Sequence, residues 1–192
     1  MSKIENAFKD GKAFIGFLTA GDPSKEKTIE YILAMDEAGA DIVEIGIPFS
    51  DPIAEGVVIQ DANIRALSKG LTTDDVFDIV KAVREKSNIP LVFLTYINPV
   101  FFYGYEKFFK KSNELGVDGI IIPDLPYEER EEISNYTDKY NVDIISLIAP
   151  TSDERIKMIA KQAKGFIYLV SSMGVTGVRS EIKTNIEDIV NE

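Results

Sequence analysis

The sequence predicts an α/β protein whose parallel strands form a TIM (βα)8-type barrel, incomplete here with about six βα units. Short apolar runs alternate six times with helical segments, a pattern that produces right-handed βαβ units and a parallel sheet. Residues capable of chemistry follow the carboxyl ends of these strands, which meet at one mouth of a barrel. A doubly wound sheet is the alternative, but no GxGxxG motif follows the first strand. The preferred interpretation is a single partial barrel domain over residues 1–192.

Each predicted strand is an apolar run rich in β-branched or aromatic residues and bounded by turn residues. The second run is typical, because it is apolar except for Glu44 and stops at Pro48, which has no N–H to donate. The six strands are predicted at residues 13–21, 42–47, 90–96, 117–123, 142–149 and 165–171.

The predicted helices carry apolar residues at helical spacing, and several of them end at a glycine. Thr72, with Asp75 three residues later, has the pattern of a capping box and starts one of them. Asn98 and Pro99 are predicted to open a loop after the third strand. The helices are predicted at residues 1–12, 28–39, 61–69, 73–86, 105–115, 128–140, 156–163 and 182–191.

Composition excludes several classes of function. The chain carries 32 acidic and 21 basic residues, a net charge of −11, which argues against binding to nucleic acid or anionic membranes. It has no cysteine and no histidine, so no metal site is predicted and proton transfer falls to carboxylates, lysine or tyrosine. No apolar run has the length of a membrane span or the form of a signal peptide, so a cytoplasmic location is expected.

Two glutamates near the second strand form a candidate acid–base pair. Glu44 interrupts the apolar strand, where a buried carboxylate is costly unless it is partnered or functional. Glu55 lies in the loop after the same strand, from which it could face Glu44 across a pocket. Such a pair serves acid–base chemistry when one carboxyl stays protonated in apolar surroundings and the other stays ionised and wetter. The structural alternative is that Glu44 ends the strand in a salt bridge and Glu55 is a solvated loop acid.

Five motifs occur in an order and spacing that carry a family resemblance: FLTAGDP at 17–23, EIGIPFSDPIAEG at 44–56, TYINP at 95–99, PDLP at 123–126 and GVTG at 174–177. Over essentially the whole chain they closely resemble the tryptophan synthase α subunit family. The resemblance implies a (βα)8 barrel and a carbon–oxygen lyase of tryptophan biosynthesis. This lyase would cleave indole-3-glycerol phosphate by retro-aldol chemistry to indole and glyceraldehyde 3-phosphate. The resemblance also implies no cofactor on this chain, and an α2β2 complex whose β subunit carries pyridoxal phosphate and receives the indole.

The resemblance also implies roles for individual residues. Glu44 corresponds to the acid–base glutamate, and Glu55 to the acid that holds the indole N–H. Phe17, Tyr96 and Tyr168 are implied to contact the indole. Thr176 and Gly177 are implied to belong to a loop that closes over the substrate, with Gly177 also near the phosphate. The face that meets the β subunit is implied to include Asp51, the 98–102 stretch beginning with Asn98, and Asp124.

Position 55 departs from the family pattern, which has aspartate there. If the backbone is unchanged, glutamate moves the carboxylate by roughly one bond length, about 1.5 Å. A misplacement of that order can cost roughly a hundredfold in rate. Weakened cleavage is therefore expected unless the loop has shifted to compensate, and Glu55→Asp is expected to raise the rate.

The family chain also continues past Glu192 with two further βα units, whose loops commonly build the phosphate site of a barrel. Truncation is the favoured explanation, and the alternative is a chain that closes by dimerising or with strands from a partner. Impaired cleavage and exposed edges on strands one and six are expected. Two other functions stay open: a non-catalytic subunit that docks on the β subunit and activates it, and another sugar-phosphate barrel lyase or isomerase.

Overall fold

The computed structural model describes residues 2–149 and 153–170. Within these ranges the fold is built on parallel strands, as predicted. The strands are β1 (Ile15–Thr19), β2 (Ile42–Gly46), β3 (Leu91–Leu94), β4 (Gly119–Ile121), β5 (Asp143–Ile144), β6 (Ser146–Ile148) and β7 (Ile167–Leu169). One sheet has the order β1-β2-β3-β4-β5, and β6 pairs with β7 in a second sheet.

Helices connect the strands and cover one face of the main sheet. They are α1 (Lys3–Ala7), α2 (Lys25–Glu37), α3 (Val57–Leu67), α4 (Thr73–Arg84), α5 (Ile97–Tyr103), α6 (Tyr105–Glu114), α7 (Glu131–Tyr140) and α8 (Asp153–Ala160), with a 3-10 turn at Tyr127–Glu129. The capping box predicted at the start of α4 is confirmed. Asp75 N donates to Thr72 Oγ1 at 3.2 Å, and Thr72 N donates to the Asp75 carboxylate at 2.8 Å.

The predicted fifth strand, residues 142–149, is divided into β5 and β6, which belong to different sheets. The division falls at Ile145, whose N–H still bonds to the Ile120 carbonyl at 2.9 Å. A Cβ atom added to Gly119 or Gly165 would lie 3.4 or 3.1 Å from Ile145 Cδ1, so the two glycines leave room for this side chain. The sequence hides the break because the run is apolar on both sides of it.

The loop predicted at Asn98 and Pro99 is instead part of helix α5. Pro99 is the third residue of this helix, where a missing N–H costs nothing because first-turn N–H groups have no partner within the helix. The N–H of Ile97, the first residue, bonds to the Asp124 carboxylate at 2.9 Å, a long-range contact that local sequence does not reveal.

Other helix bounds differ less from the predictions. Helices α2 and α3 begin at Lys25 and Val57, before the predicted 28 and 61, and α1 ends at Ala7 instead of 12. The predicted helix at 182–191 lies outside the described residues. None of the helices in the described ranges is long and apolar enough to cross a membrane.

Two apolar layers pack against the two faces of the strands. The outer layer lies between the main sheet and its covering helices, and it includes Val43, Phe93 and Ile120. The inner layer lies on the opposite face and is formed by Ile4, Ile42, Val92, Ile121 and Ile145. Strand β2 is buried along its whole length because it contributes to both layers. Residues of β2 that alternate with Val43 and Ile45 therefore face the interior of the partial barrel.

Candidate active site

Glu44 lies on the inner face of β2, in register with Phe17 on β1 and Val92 on β3. Its side chain is 5% exposed. No hydrogen bond or ion pair to another described residue reaches the carboxylate, so the alternative of a strand-ending salt bridge finds no support. Burial raises the pKa of Glu44 from 4.5 to about 7, because an ionised carboxylate is poorly solvated there. At neutral pH this group is therefore able both to give and to take a proton.

Two aromatic side chains accompany Glu44 on the inner face. A Cβ atom at Gly46 would lie 3.0 Å from two ring carbons of Phe17, so the ring lies directly over this glycine. Tyr168, on β7, is half-buried and packs against the inner layer. Burial raises the pKa of Tyr168, and the negative charge of Glu44 raises it further. These two residues place aromatic rings on the same inner face as Glu44, beside the aliphatic side chains of the inner layer.

Glu55 is not the solvated loop acid of the structural alternative, because it is also only 5% exposed. It precedes α3, and its carboxylate accepts a short hydrogen bond from the Tyr96 hydroxyl. Its backbone carbonyl accepts a bond of 2.8 Å from Gln60 Nε2. The two candidate acids are thus equally buried, and they differ in that only Glu55 has a hydrogen-bond partner among the described residues.

Tyr96 follows β3 and is 2% exposed, with its ring centroid 5.4 Å from that of Phe49. Its hydroxyl accepts a bond of 3.0 Å from Ala54 N and donates to Glu55. Burial raises the pKa of Tyr96, and the bond to Glu55 raises it further, so the phenol stays protonated at neutral pH. The family resemblance implied only an indole contact for Tyr96. The bond to Glu55 was not predicted, because no local pattern joins positions 41 residues apart.

The residues predicted for the partner face are divided between exposed and buried positions. Asp51 is exposed and accepts a short hydrogen bond from Ser50, and Asn98 is exposed on α5. Asp124 is half-buried, and its carboxylate is occupied by the N–H of Ile97. Burial raises the pKa of Asp124, against the effect of its backbone hydrogen bonds. Asp124 thus acts as a cap for α5, while Thr176 and Gly177 lie outside the described residues.

Helix α5 also carries two exposed aromatic side chains, Phe101 at 63% and Phe102 at 92% exposure. Phe102 borders a cleft of about 290 Å³ that lies between α5, the start of α4 and the loop after β2. The cleft is lined by Ile47, Pro48, Phe49, Ser50, Leu67, Leu71, Thr72, Thr73, Val76, Asn98, Pro99 and Phe102. Exposed aromatic groups beside an apolar cleft are typical of a protein-binding surface.

The described part of the chain contains no group of three or more acidic side chains that could hold a metal ion. The site residues themselves can supply proton transfer by carboxyl groups, supported by a tyrosine hydroxyl and aromatic surfaces.

Comparison with known proteins identifies relatives along almost the whole chain. The sequence model described as "Tryptophan synthase alpha chain" matches residues 4–192. The tryptophan synthase alpha chain of Lacticaseibacillus casei is 53% identical over 192 residues, which are 100% of this chain and 72% of the relative.

Solved structures of the same family share the fold. Tryptophan synthase of Mycobacterium tuberculosis superposes with a TM-score of 0.88 at 31% identity, over 98% of this chain and 74% of that chain. The tryptophan synthase α2β2 complex of Pyrococcus furiosus contains a chain that superposes with a TM-score of 0.78 at 42% identity, over 82% of this chain and 67% of that chain.

Proposed function

This chain belongs to the tryptophan synthase alpha chain family, and we propose that Glu44 and Glu55 are the acid–base pair with which it cleaves indole-3-glycerol phosphate. Members of the family are lyases that cleave this substrate and partner the tryptophan synthase β subunit. The observation that carries the proposal is Glu44 itself, a buried carboxyl without an ion-pair partner among the described residues and with a pKa of about 7.

The proposed reaction moves one proton from oxygen to carbon. Protonated Glu44 gives its proton to C3 of the indole, which leaves a cationic, iminium-like ring nitrogen. The resulting Glu44 carboxylate then takes the proton of the glycerol hydroxyl next to the bond that breaks. As the carbon–carbon bond cleaves, its electron pair returns to the ring, releasing indole and the aldehyde of glyceraldehyde 3-phosphate. A pKa near neutrality suits a group that must both donate and accept in one cycle.

Glu55 has a different role in this proposal. A carboxylate that accepts the indole N–H stabilises the positive charge that develops on the nitrogen when C3 is protonated. Phe17 and Tyr168 supply flat apolar surfaces beside Glu44, which suit an indole ring. These proton transfers require no cofactor on this chain, and we assign pyridoxal phosphate to the β subunit and the reaction to the cytoplasm.

A second candidate is a non-catalytic role, in which the chain docks on the β subunit and activates it without cleaving substrate. The exposed Phe101 and Phe102 on α5 favour docking. The chain spans 72% of the length of the L. casei relative, and the impaired cleavage expected from the sequence stays a prediction. One chain can both dock on the β subunit and cleave substrate. The two candidate functions therefore differ only in whether the docked chain also cleaves indole-3-glycerol phosphate.

One variant separates the two roles. Glu44→Gln keeps the size of the side chain but cannot transfer the proton, and general acid–base catalysis contributes roughly 10²–10⁴-fold. We expect the rate of indole release from indole-3-glycerol phosphate to fall by at least about 100-fold. We also expect the variant to stimulate the β subunit as well as the unsubstituted chain does, because Glu44 is buried on β2, whereas the exposed Phe101 and Phe102 lie on α5.

The matched control is Glu37→Gln, which removes the charge of an exposed glutamate at the end of α2. It should leave both assays unchanged. Cleavage that survives Glu44→Gln would overturn the acid–base assignment. If the unsubstituted chain stimulates the β subunit but does not cleave indole-3-glycerol phosphate, the result would support the non-catalytic role instead.

A further inference from the structure

We propose that Tyr96 is a positioning residue that holds the Glu55 carboxylate in place, and that glutamate at position 55 is matched in length to the Tyr96 hydroxyl. The inference rests on the proposed function of Glu55. It supplies the compensation that the sequence argument required for a glutamate where the family has aspartate.

The hydroxyl of Tyr96 is fully oriented by its two bonds. Its proton is directed at the Glu55 carboxylate, while its oxygen accepts the N–H of Ala54 at 3.0 Å. Gln60 Nε2 fixes the backbone carbonyl of Glu55 at 2.8 Å. The loop before α3 is therefore attached to the segment after β3 through Tyr96, and the carboxylate is restrained by both its side chain and its backbone.

Burial makes this attachment strong. Tyr96 is 2% exposed and Glu55 is 5% exposed, so little water is available to replace a lost hydrogen bond. A hydrogen bond to an ionised carboxylate is stronger than one between neutral groups. The Phe49 ring, 5.4 Å from the Tyr96 ring between centroids, restricts the movement of the phenol. The raised pKa of Tyr96 keeps the hydroxyl a donor at neutral pH.

The length of the side chain at position 55 decides whether the bond forms. Aspartate would withdraw the carboxylate by about 1.5 Å, one carbon–carbon bond. The Tyr96 hydroxyl and the Glu55 carboxylate are now joined by a short hydrogen bond. Moving the carboxylate away by that amount would place the two oxygens farther apart than a hydrogen bond allows. The expectation from the sequence, that Glu55→Asp raises the rate, is therefore reversed: in this loop aspartate loses the contact that orients the carboxylate.

A double-mutant cycle tests the inference. The unsubstituted chain, Tyr96→Phe, Glu55→Asp and the double variant are compared for kcat and KM in the cleavage of indole-3-glycerol phosphate. Each single substitution should lower kcat by about 10-fold to 100-fold. The double variant should be no slower than the slower single variant, because both substitutions remove the same hydrogen bond.

The division of the effect between kcat and KM distinguishes positioning from simple packing. Tyr96→Phe retains the ring, so KM should stay within about twofold while kcat falls. Tyr31→Phe is the matched control, because Tyr31 is 42% exposed on α2 and should affect neither constant. If Tyr96→Phe fails to fold, as judged by circular dichroism, Glu55→Asp alone still tests the length match.

The outcomes separate this inference from the proposed function. Absence of cleavage by the unsubstituted chain overturns both. Cleavage that Tyr96→Phe leaves unchanged, or that Glu55→Asp accelerates, overturns the inference while the proposed function stands. Losses in the two single variants that multiply in the double variant also overturn it, since independent effects mean that Tyr96 does not act through Glu55.

Discussion

At the scale of single residues, Glu44 lowers the stability of the folded protein but provides a group suited to proton transfer. Its carboxyl lies among apolar and aromatic groups, and burial raises its pKa to about 7. The unfolded chain ionises this group near pH 4.5, so folding at neutral pH must either keep it protonated or bury its charge. A side chain that opposes folding in this way is typical of a functional position.

The stability of the protein should therefore depend on pH through Glu44. The penalty is absent below pH 4.5, where the group is protonated in both states, grows as pH rises to about 7, and is complete above it. The shift from 4.5 to about 7 corresponds to about 3 kcal/mol. Urea unfolding of the unsubstituted chain and Glu44→Gln should show the variant gaining stability relative to the unsubstituted chain between pH 4.5 and pH 8. An equal difference at both pH values would contradict the assignment.

At the scale of secondary-structure elements, Arg84 joins the end of α4 to the beginnings of two strands. Its guanidinium donates to the carbonyls of Ile89 at 2.7 Å and Gly116 at 2.8 Å, and it lies 3.2 Å from the Asp118 carboxylate. Asp118 in turn accepts the N–H of Leu91, the first residue of β3, at 3.0 Å. These contacts lie at the amino ends of β3 and β4, opposite the predicted mouth. Residues at this end of a barrel contribute to stability, whereas catalytic residues lie at the carboxyl ends of the strands.

Removing the guanidinium should destabilise the protein strongly. Arg84→Leu removes the nearer of two cations from the Asp118 carboxylate, whose side chain is only 14% exposed, and leaves it with Lys3 Nζ at 3.5 Å. It also removes the donor from the carbonyls of Ile89 and Gly116. We expect a loss of about 3 kcal/mol in the free energy of unfolding, measured with urea, because a partly buried ion pair and two hydrogen bonds to carbonyls are lost together. Lys81→Leu, an exposed position on the same helix, should change it by less than about 0.5 kcal/mol. Equal effects of the two substitutions would show that the contacts of Arg84 contribute little.

At the scale of the whole molecule, the inner layer depends on α1. Ile4 is fully buried, and a Cβ atom at Gly119 or Gly165 would lie 2.9 or 3.0 Å from its side chain. Gly119 belongs to β4 in the first sheet, and Gly165 precedes β7 in the second. Ile4 therefore packs where the two sheets meet and closes the inner layer at the end opposite the carboxyl ends of the strands.

Ile4→Ala should accordingly weaken the entire fold and not only its first helix. A large-to-small substitution in a packed core costs about 2–5 kcal/mol. Phe14→Ala provides the comparison, because Phe14, an apolar residue just before β1, is 67% exposed. Thermal unfolding followed by circular dichroism should show a lower and still single transition for Ile4→Ala and little change for Phe14→Ala. A transition at the original temperature for Ile4→Ala would argue against this role of α1.

Much of the fold was predictable because its signals are local. The capping box at Thr72, the apolar run of β2 and the glycine after α6 each mark an element through residues that are only a few positions apart in the sequence. Helix α5 was mispredicted because its start depends on Asp124, 27 residues away from Ile97. The division at Ile145 was missed because apolar character continues through it, and strand pairing is not a local property.

For the candidate site, sequence reasoning identified the acids, and the family resemblance supplied their expected roles. Short-range propensities and motif spacing are properties of neighbouring residues. The order of elements and the choice of Glu44 and Glu55 as candidate acid–base residues therefore follow from the sequence alone. Which groups surround each acid depends on residues brought together from distant segments: Tyr168 packs against the inner layer on the face that carries Glu44, and Tyr96 bonds to Glu55 from 41 positions away. Burial and hydrogen bonding set the behaviour of a carboxyl, and both arise only when those segments pack.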